Sequence, residues 1–536
     1  MNEIFGTDSR YCLTIRYFTQ KETILFKYFK MSDNSANNNR IAKNTLFLYV
    51  RMILVLLVSL YTSRVVLAQL GESDYGIYNI VGGVLVLFSF LNAAMISTTQ
   101  RFLNFEMGKG AKGNVGKVFS MAINCHLLIL LLLLFIAETL GLWFLNTYLN
   151  IPEERLNTAN WVYQFVIIAT CINIFYSPYN AAIISYERMS VFAFVSIVEV
   201  LLKLGVAFAL TITPFDKLFI YGFLQLLVVI IVCIIYFLYC RKAFPSCHYH
   251  FDKNKNLFKE MMNFSGWSLM GQASNLAASQ GINIVMNLFF GVAVNAAMGV
   301  ANQVFNAVNQ LVSNFSMAFK PQIVKSFSSG DSSYFNSLIY RTSKLCYFLL
   351  YAFGLPIIIF ADEILNIWLE DVPEYATIFV QVYIVYALID AICTPIWTGI
   401  QATGIIKANN IVALILRISV LPISISIFYF GGSPKWGIIS NVFANLFIQI
   451  YNIIHLSRYS NFILKQFFKE SILPCALVSL LAIPIPLILH IHLHGLFYTI
   501  MSIIISVLVT LIFVGIIGLN KSERSELFQI VRQRLF

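Results

Sequence analysis

Seven ionisable side chains stand within or at the edge of long apolar runs: the cations Arg51, Arg64, Lys203 and Arg417, the acids Glu199 and Asp390, and Glu138 near the end of its run. In hydrocarbon each costs at least about 2.5–3.5 kcal/mol, so such residues face a water-filled path or one another. Glu199 and Lys203 are four residues apart, on one helix face, and are placed to pair. Lys203 and Arg417 lie at similar depth in their runs, and one cation from each would suit an anionic cargo. Arg51 and Arg64 are separated by about 20 Å along a helix and about 140° around it. An unbent helix therefore does not aim both at one point, and snorkelling to the run's ends is the other reading. Asp390 has no charged partner at i±3 or i±4. Desolvation leaves such a carboxylate either protonated, hence a candidate for proton or sodium coupling, or paired with Lys203 or Arg417.

Other chemistry is poorly represented. The nine cysteines fall in apolar runs or near basic segments, which does not support a disulfide framework. Cys240 and Cys247-His248-Tyr249-His250 lack a second pair of zinc ligands, so no metal is expected. His490, His492 and His494 read as exposed loop histidines. No phosphate-binding loop, metalloprotease or nucleophile-elbow motif is present. The sequence gives no reason to expect an enzyme, a cofactor or an ATPase of its own.

The elements that carry these residues follow from composition. Of 536 residues, 59% are hydrophobic and only 11% charged, against about 25% charged in soluble domains. Mean hydropathy is +0.77. Apolar stretches near the roughly 20 residues needed to cross a bilayer recur at 44–69, 78–100, 119–144, 160–184, 191–212, 217–240, 264–290, 294–318, 338–361, 376–400, 408–430, 434–457, 471–490 and 496–518. They must be helices, because a lipid-embedded backbone has to satisfy its own hydrogen bonds. Of 36 Lys and Arg, 29 fall in alternate segments beginning with residues 1–43, and Arg155, Lys217 and Lys435 alone fall in the others. The positive-inside rule then puts both termini in the cytoplasm. The net charge of +11 is a topology signal and not a nucleic-acid footprint. Residues 1–30 read either as a mis-assigned extension, with Met31 the start, or as a cytoplasmic tail. The segment Phe319–Tyr340 reads as a loop or as a stretch lying along the inner leaflet.

A repeat is superimposed on the spans. Ser177-Pro178 parallels Thr394-Pro395, Leu70-Gly71 parallels Phe290-Gly291, and Gln100-Arg101-Phe102 parallels Lys320-Pro321-Gln322, all at an offset near 220. Six spans separate the matches, so the halves share one orientation, and a path between parallel halves is the design of a transporter. The expected fold is all-α and integral to the membrane, with about fourteen helices in two parallel six-helix repeats plus an extra C-terminal pair. The divisions are a cytoplasmic segment 1–43, bundles 44–240 and 264–457 joined by a linker 241–263, an extra pair 458–518, and a basic tail 519–536.

At Leu67-Ala-Gln-Leu-Gly-Glu-Ser-Asp-Tyr-Gly-Ile-Tyr-Asn-Ile-Val-Gly-Gly, followed by Gln100-Arg-Phe-Leu, the sequence resembles the polysaccharide-biosynthesis (Wzx-type, O-antigen) flippases of the multidrug/oligosaccharidyl-lipid/polysaccharide exporter superfamily. The resemblance extends over essentially the whole chain. It implies a MATE-like fold and transfer of an undecaprenyl-diphosphate-linked oligosaccharide from the cytoplasmic to the outer leaflet of the bacterial inner membrane. It also implies a cation-lined cavity, for which Arg51, Arg64, Lys203 and Arg417 are of the right type, since charge-assisted bonds to a diphosphate are strong. Asp390 and Glu199 remain for ion coupling or a cavity ion pair. Membrane lipids and other glycan-assembly membrane proteins are the further partners expected. Multidrug export within the superfamily, and a membrane polymerase or ligase of the same glycan pathway, are the alternatives.

Overall fold

Among the described residues every regular element is helical, as backbone buried in lipid requires. The computed structural model describes residues 40–41, 43–59, 61–71, 73–78, 81, 89–147, 151–369, 371–493, 495–521 and 523–525. Both readings of residues 1–30, the first part of the 78–100 span, His494, and Arg532 and Arg534 of the tail lie outside them. The long helices are α1 (Lys43–Gly71), α2 (Ser89–Gly108), α3 (Val115–Thr147), α4 (Glu153–Ser185), α5 (Met189–Ile212), α6 (Lys217–Ala243) and α7 (Lys255–Phe290). After them come α8 (Val292–Ser328), α9 (Ser332–Ile359), α10 (Ala376–Thr403), α11 (Lys407–Tyr429), α12 (Lys435–Tyr459), α13 (Leu464–His492) and α14 (Leu496–Gly518). Polar caps start several of them. The side chains of Asn114, Asp216, Asn254 and Asp331 accept bonds from otherwise unpaired first-turn amides of α3, α6, α7 and α9.

Eleven of these helices are long and apolar enough to cross a membrane, and the chain is a multi-pass membrane protein. The three long helices not among the eleven are α2, α7 and α8, at the expected spans 78–100, 264–290 and 294–318. Their polarity reflects their surroundings. Helix α2 packs on α3 and α4 and also reaches across to α7 and α8, so its Thr98, Thr99, Arg101 and Asn104 are buried in protein. Elsewhere α4 packs on α6 and α5 on α6, while α10 packs on α8, α9 and α12, and α11 on α7 and α12. The lipid-facing positions of the outer helices carry residues such as Leu131, Phe135, Leu288 and Leu480.

The segment Phe319–Tyr340 is neither loop nor interfacial ribbon. Helix α8 runs through to Ser328, α9 begins at Ser332, and Phe319 and Phe335 are fully buried. Loss of hydropathy at Lys320 marks a change of environment inside the helix, not its end. The positions matched at the 220-residue offset also behave alike. Gly71 and Gly291 both adopt left-handed backbone, at φ +74° and +78°, where a side chain would be strained. Pro178 and Pro395 both lie inside their helices, α4 and α10.

Helices α13 and α14 pack on α9. The Lys344 ammonium, fully buried on α9, meets the Glu523 carboxylate just beyond α14 at 2.7 Å. Ser471 donates to the Tyr340 carbonyl, and the Tyr351 hydroxyl donates to the Ser479 carbonyl at 3.0 Å.

Candidate functional site

A cavity of about 430 Å³ is enclosed mainly by α7, α8, α10, α11 and α12, with Ala93 and Ser97 of α2 on one side. Asn445, Gln449 and Asn452 are spaced four and three apart on α12, so they share one face. Gln449 donates to the Asp390 carboxylate at 2.9 Å, Asn452 donates to the Gln449 side-chain carbonyl at 3.1 Å, and Asn409 of α11 donates to Asn452 at 2.9 Å. Arg417 projects from α11 with its guanidinium 3.4 Å from the Gly271 carbonyl, in the electrostatic neighbourhood of Tyr386 and Asp390. Lys320 of α8 completes the charged lining, and no hydrogen bond or ion pair engages its ammonium among the described residues. The wall thus offers two cations and one acid.

Neutral polar capacity is also left over. Among the described residues Asn409 Oδ1, Asn410 Nδ2 and Asn445 Nδ2 are buried without a partner, an arrangement that costs free energy unless something binds there. Gly271 is required by close approach, since a Cβ would stand 2.3 Å from Asn410 Oδ1. Unpaired amides beside two cations can hold a charged group together with a hydroxyl-rich one.

Of the residues expected from sequence, Arg417 and Asp390 share this cavity, and the other four lie elsewhere. Glu199 and Lys203 pair at 2.6 Å on α5, each about a third exposed. Arg51 stacks over the Phe192 ring at 4.5 Å, has a buried Nε without a hydrogen-bond partner among the described residues, and interacts electrostatically with Glu199. Arg64 is exposed on α1. The four cations therefore do not line one cavity. Two clusters form, Arg51–Glu199–Lys203 and Lys320–Asp390–Arg417, each with two bases and one acid. Glu138 lies apart, accepting a bond from Gln164 at 3.2 Å.

Two cations escaped the sequence reading because they sit where hydropathy fades. Besides Lys320, Arg101 of α2 is buried, donates to the Gln401 and Ala402 carbonyls at 3.2 and 3.5 Å, and stacks on Phe102 and Phe105. The signal was present in the repeat, which aligns Gln100-Arg101-Phe102 with Lys320-Pro321-Gln322.

Of the other residues that carry the family resemblance, Gln69 and Asp74 are structural ties at the opposite end. Asp74 bonds Arg155 at 2.7 Å, Arg155 bonds Asp216 at 2.6 Å, and Gln69 accepts from Lys217 at 3.1 Å. Burial outweighs Arg155 and raises the Asp74 carboxyl above its ordinary range, with Asp216 adding to the rise. Among the described residues no group of three or more His, Cys, Asp or Glu is placed to hold a metal ion.

No protein-family profile matches the chain. It is 22% identical over 373 residues to the uncharacterized membrane protein EpsK of Bacillus subtilis (strain 168), covering 68% of this chain and 72% of that protein. Its fold is that of MATE transporters. An outward-facing multidrug resistance MATE family transporter of the MOP superfamily superposes with a TM-score of 0.66 at 14% identity, over 79% of this chain and 96% of that one. A MOP superfamily transporter from Pyrococcus furiosus, described as having a binding pocket of reverse polarity that suggests a different function, gives 0.63 at 14% identity over 79% and 95%. A Vibrio cholerae MATE transporter variant gives 0.59 at 13% identity over 79% and 97%.

Proposed function

We propose that the protein is a transporter that moves an anionic, glycan-bearing lipid across the bacterial inner membrane by alternating access. The cargo of this reading is an undecaprenyl-diphosphate-linked oligosaccharide, carried from the cytoplasmic to the outer leaflet for O-antigen or capsule assembly. The observation that carries it is the cavity lining: two cations, Lys320 and Arg417, against the single acid Asp390, with Lys320 unengaged among the described residues. A diphosphate would take both cations through charge-assisted bonds, and the amide side chains of Asn275, Asn409, Asn410 and Asn452 in the lining would meet sugar hydroxyls. In this reading the bundles 44–240 and 264–457 rock against each other about the linker 241–263, the pair 458–518 is an appendage, and the three polar helices bring the spans to fourteen. Both termini then face the cytoplasm.

Multidrug export is the second reading, and the description of the multidrug resistance MATE transporter favours it. A cationic drug would want acids in the cavity, and the excess of bases argues against that cargo. The deciding experiment measures the leaflet distribution of lipid-linked oligosaccharide in cells lacking the protein and in cells carrying Lys320→Ala with Arg417→Ala. Accumulation on the cytoplasmic face in both supports flipping. Normal outer-leaflet delivery together with lost drug resistance would establish the second reading instead.

A further inference from the structure

The cavity is closed at its basic end by polar bonds that run from α2 and the end of α4 to α7, α8 and α10. Arg101 of α2 holds the backbone of α10 at Gln401, whose side chain lines the cavity and donates to Ser97 at 3.3 Å. Ser265 of α7 donates to Thr98 of α2 at 2.9 Å. Two and five residues beyond Lys320 on α8, Gln322 donates to one oxygen of Glu187 at 2.6 Å, and Lys325 donates to the other at 2.6 Å and to the Ser185 carbonyl at 2.7 Å. Arg40 pairs with the same carboxylate. Glu187 follows α4 in left-handed backbone, φ +59°, and its side chain is only 1% exposed. Beside it α2 and α8 touch backbone to backbone, since a Cβ on Gly108 would stand 2.5 Å from the Lys325 carbonyl oxygen.

We infer that Glu187, gripped by Lys325 and Gln322, is the lock that keeps the cavity shut from the cytoplasmic side, with Arg101 as a second clasp. Glu187 does not touch cargo in this assignment, which rests on the transport reading; it sets which face the cavity opens to. The physical ground is that the bonds exist only with the halves together. Separating them at this end leaves Glu187 with Arg40 and with water in place of Lys325 and Gln322, whereas separating them at the other end leaves the lock intact. Removing Glu187 leaves the buried Lys325 without its counter-charge, and removing Lys325 takes from Glu187 its one cation on α8, so either change weakens the closed state selectively.

Cys393 lines the cavity and reports its accessibility. The full chain is expressed in inverted membrane vesicles, treated with a membrane-impermeant maleimide, and modification of Cys393 is followed by peptide mass spectrometry. Wild type is expected to react slowly, and Glu187→Ala and Lys325→Met about tenfold faster, a shift that corresponds to one partner lost from a two-state equilibrium. Thr98→Cys with Ser265→Cys, oxidised, should return Glu187→Ala to the slow rate. The lock is overturned if folded Glu187→Ala and Lys325→Met react at the wild-type rate. Should those variants not fold, the oxidised Cys pair in an otherwise wild-type chain must react more slowly than its reduced form, and equal rates would overturn the proposal. Labelling needs no cargo, so a chain that labels as expected but leaves lipid-linked oligosaccharide unflipped keeps the lock and refutes the cargo.

Discussion

Lys320 and Arg417 face the same space from different helices, and each supplies what the other lacks. Arg417 is already oriented by the Gly271 carbonyl, whereas the Lys320 ammonium can turn toward whatever arrives. Charge-assisted hydrogen bonds contribute about 1.5–3 kcal/mol each, so Lys320→Ala and Arg417→Ala are each expected to slow flipping at least about tenfold. Arg64→Ala, at an exposed position on α1, should change the rate little in the same leaflet assay. Asp390 works against an anion yet is held by Gln449 at 2.9 Å. Asp390→Asn should therefore lower KM for a diphosphate cargo and leave any dependence on pH or sodium gradients unchanged. A raised KM, or loss of gradient dependence, would return Asp390 to the ion-coupling role that its isolation in the sequence allows.

At the scale of elements, the C-terminal pair is fastened to α9 by groups that hydropathy does not anticipate. Lys344 is fully buried and its ammonium meets Glu523 at 2.7 Å. Glu523→Ala should destabilise the detergent-solubilised protein by about 3–5 kcal/mol, read as a lowered unfolding temperature. Lys344→Met combined with Glu523→Leu should recover most of that loss, because two packed apolar side chains need no compensation. At the end of α10, Gly404 turns the chain with φ +80°, and a Cβ there would stand 2.6 Å from the Arg101 guanidinium. Gly404→Ala should thus cost about 1–2 kcal/mol of backbone strain and also displace Arg101, and Arg101→Ala should loosen the cytoplasmic closure without that strain. Cys393 labelling from the cytoplasmic face checks both.

Across the whole molecule, charge is divided by function. Most bases lie in one set of alternate segments, and the exceptions Arg155 and Lys217 are engaged by Asp74, Asp216 and Gln69. A reporter fused at the C-terminus should behave as cytoplasmic, fluorescent as a fluorescent-protein fusion and inactive as a periplasmic phosphatase fusion. The opposite pattern would mean an odd number of crossings and would remove α2, α7 or α8 from the membrane. The ties around Asp74 hold one half together at the outer end, while Glu187 and Arg101 hold the two halves to each other at the basic end.

The sequence by itself determined that this is a helical membrane protein, because apolar length and internally satisfied backbone leave no other solution. The repeated Gly and Pro positions were legible too, since left-handed turns and interior prolines leave a residue signature whatever packs around them. The cavity was legible only in part. Asp390 and Arg417 are conspicuous because charge inside an apolar run is costly, whereas Lys320 and Arg101 sit at run ends and read as ordinary inner-loop bases. Tertiary structure alone decided which charges meet. Pairing depends on helix rotation and on which half a helix packs against, and neither leaves a trace in spacing along the chain. For that reason Lys203 is engaged by Glu199 one turn away on its own helix, while Glu187, a lone acid in a short turn, finds its partners 135 and 138 residues away on α8.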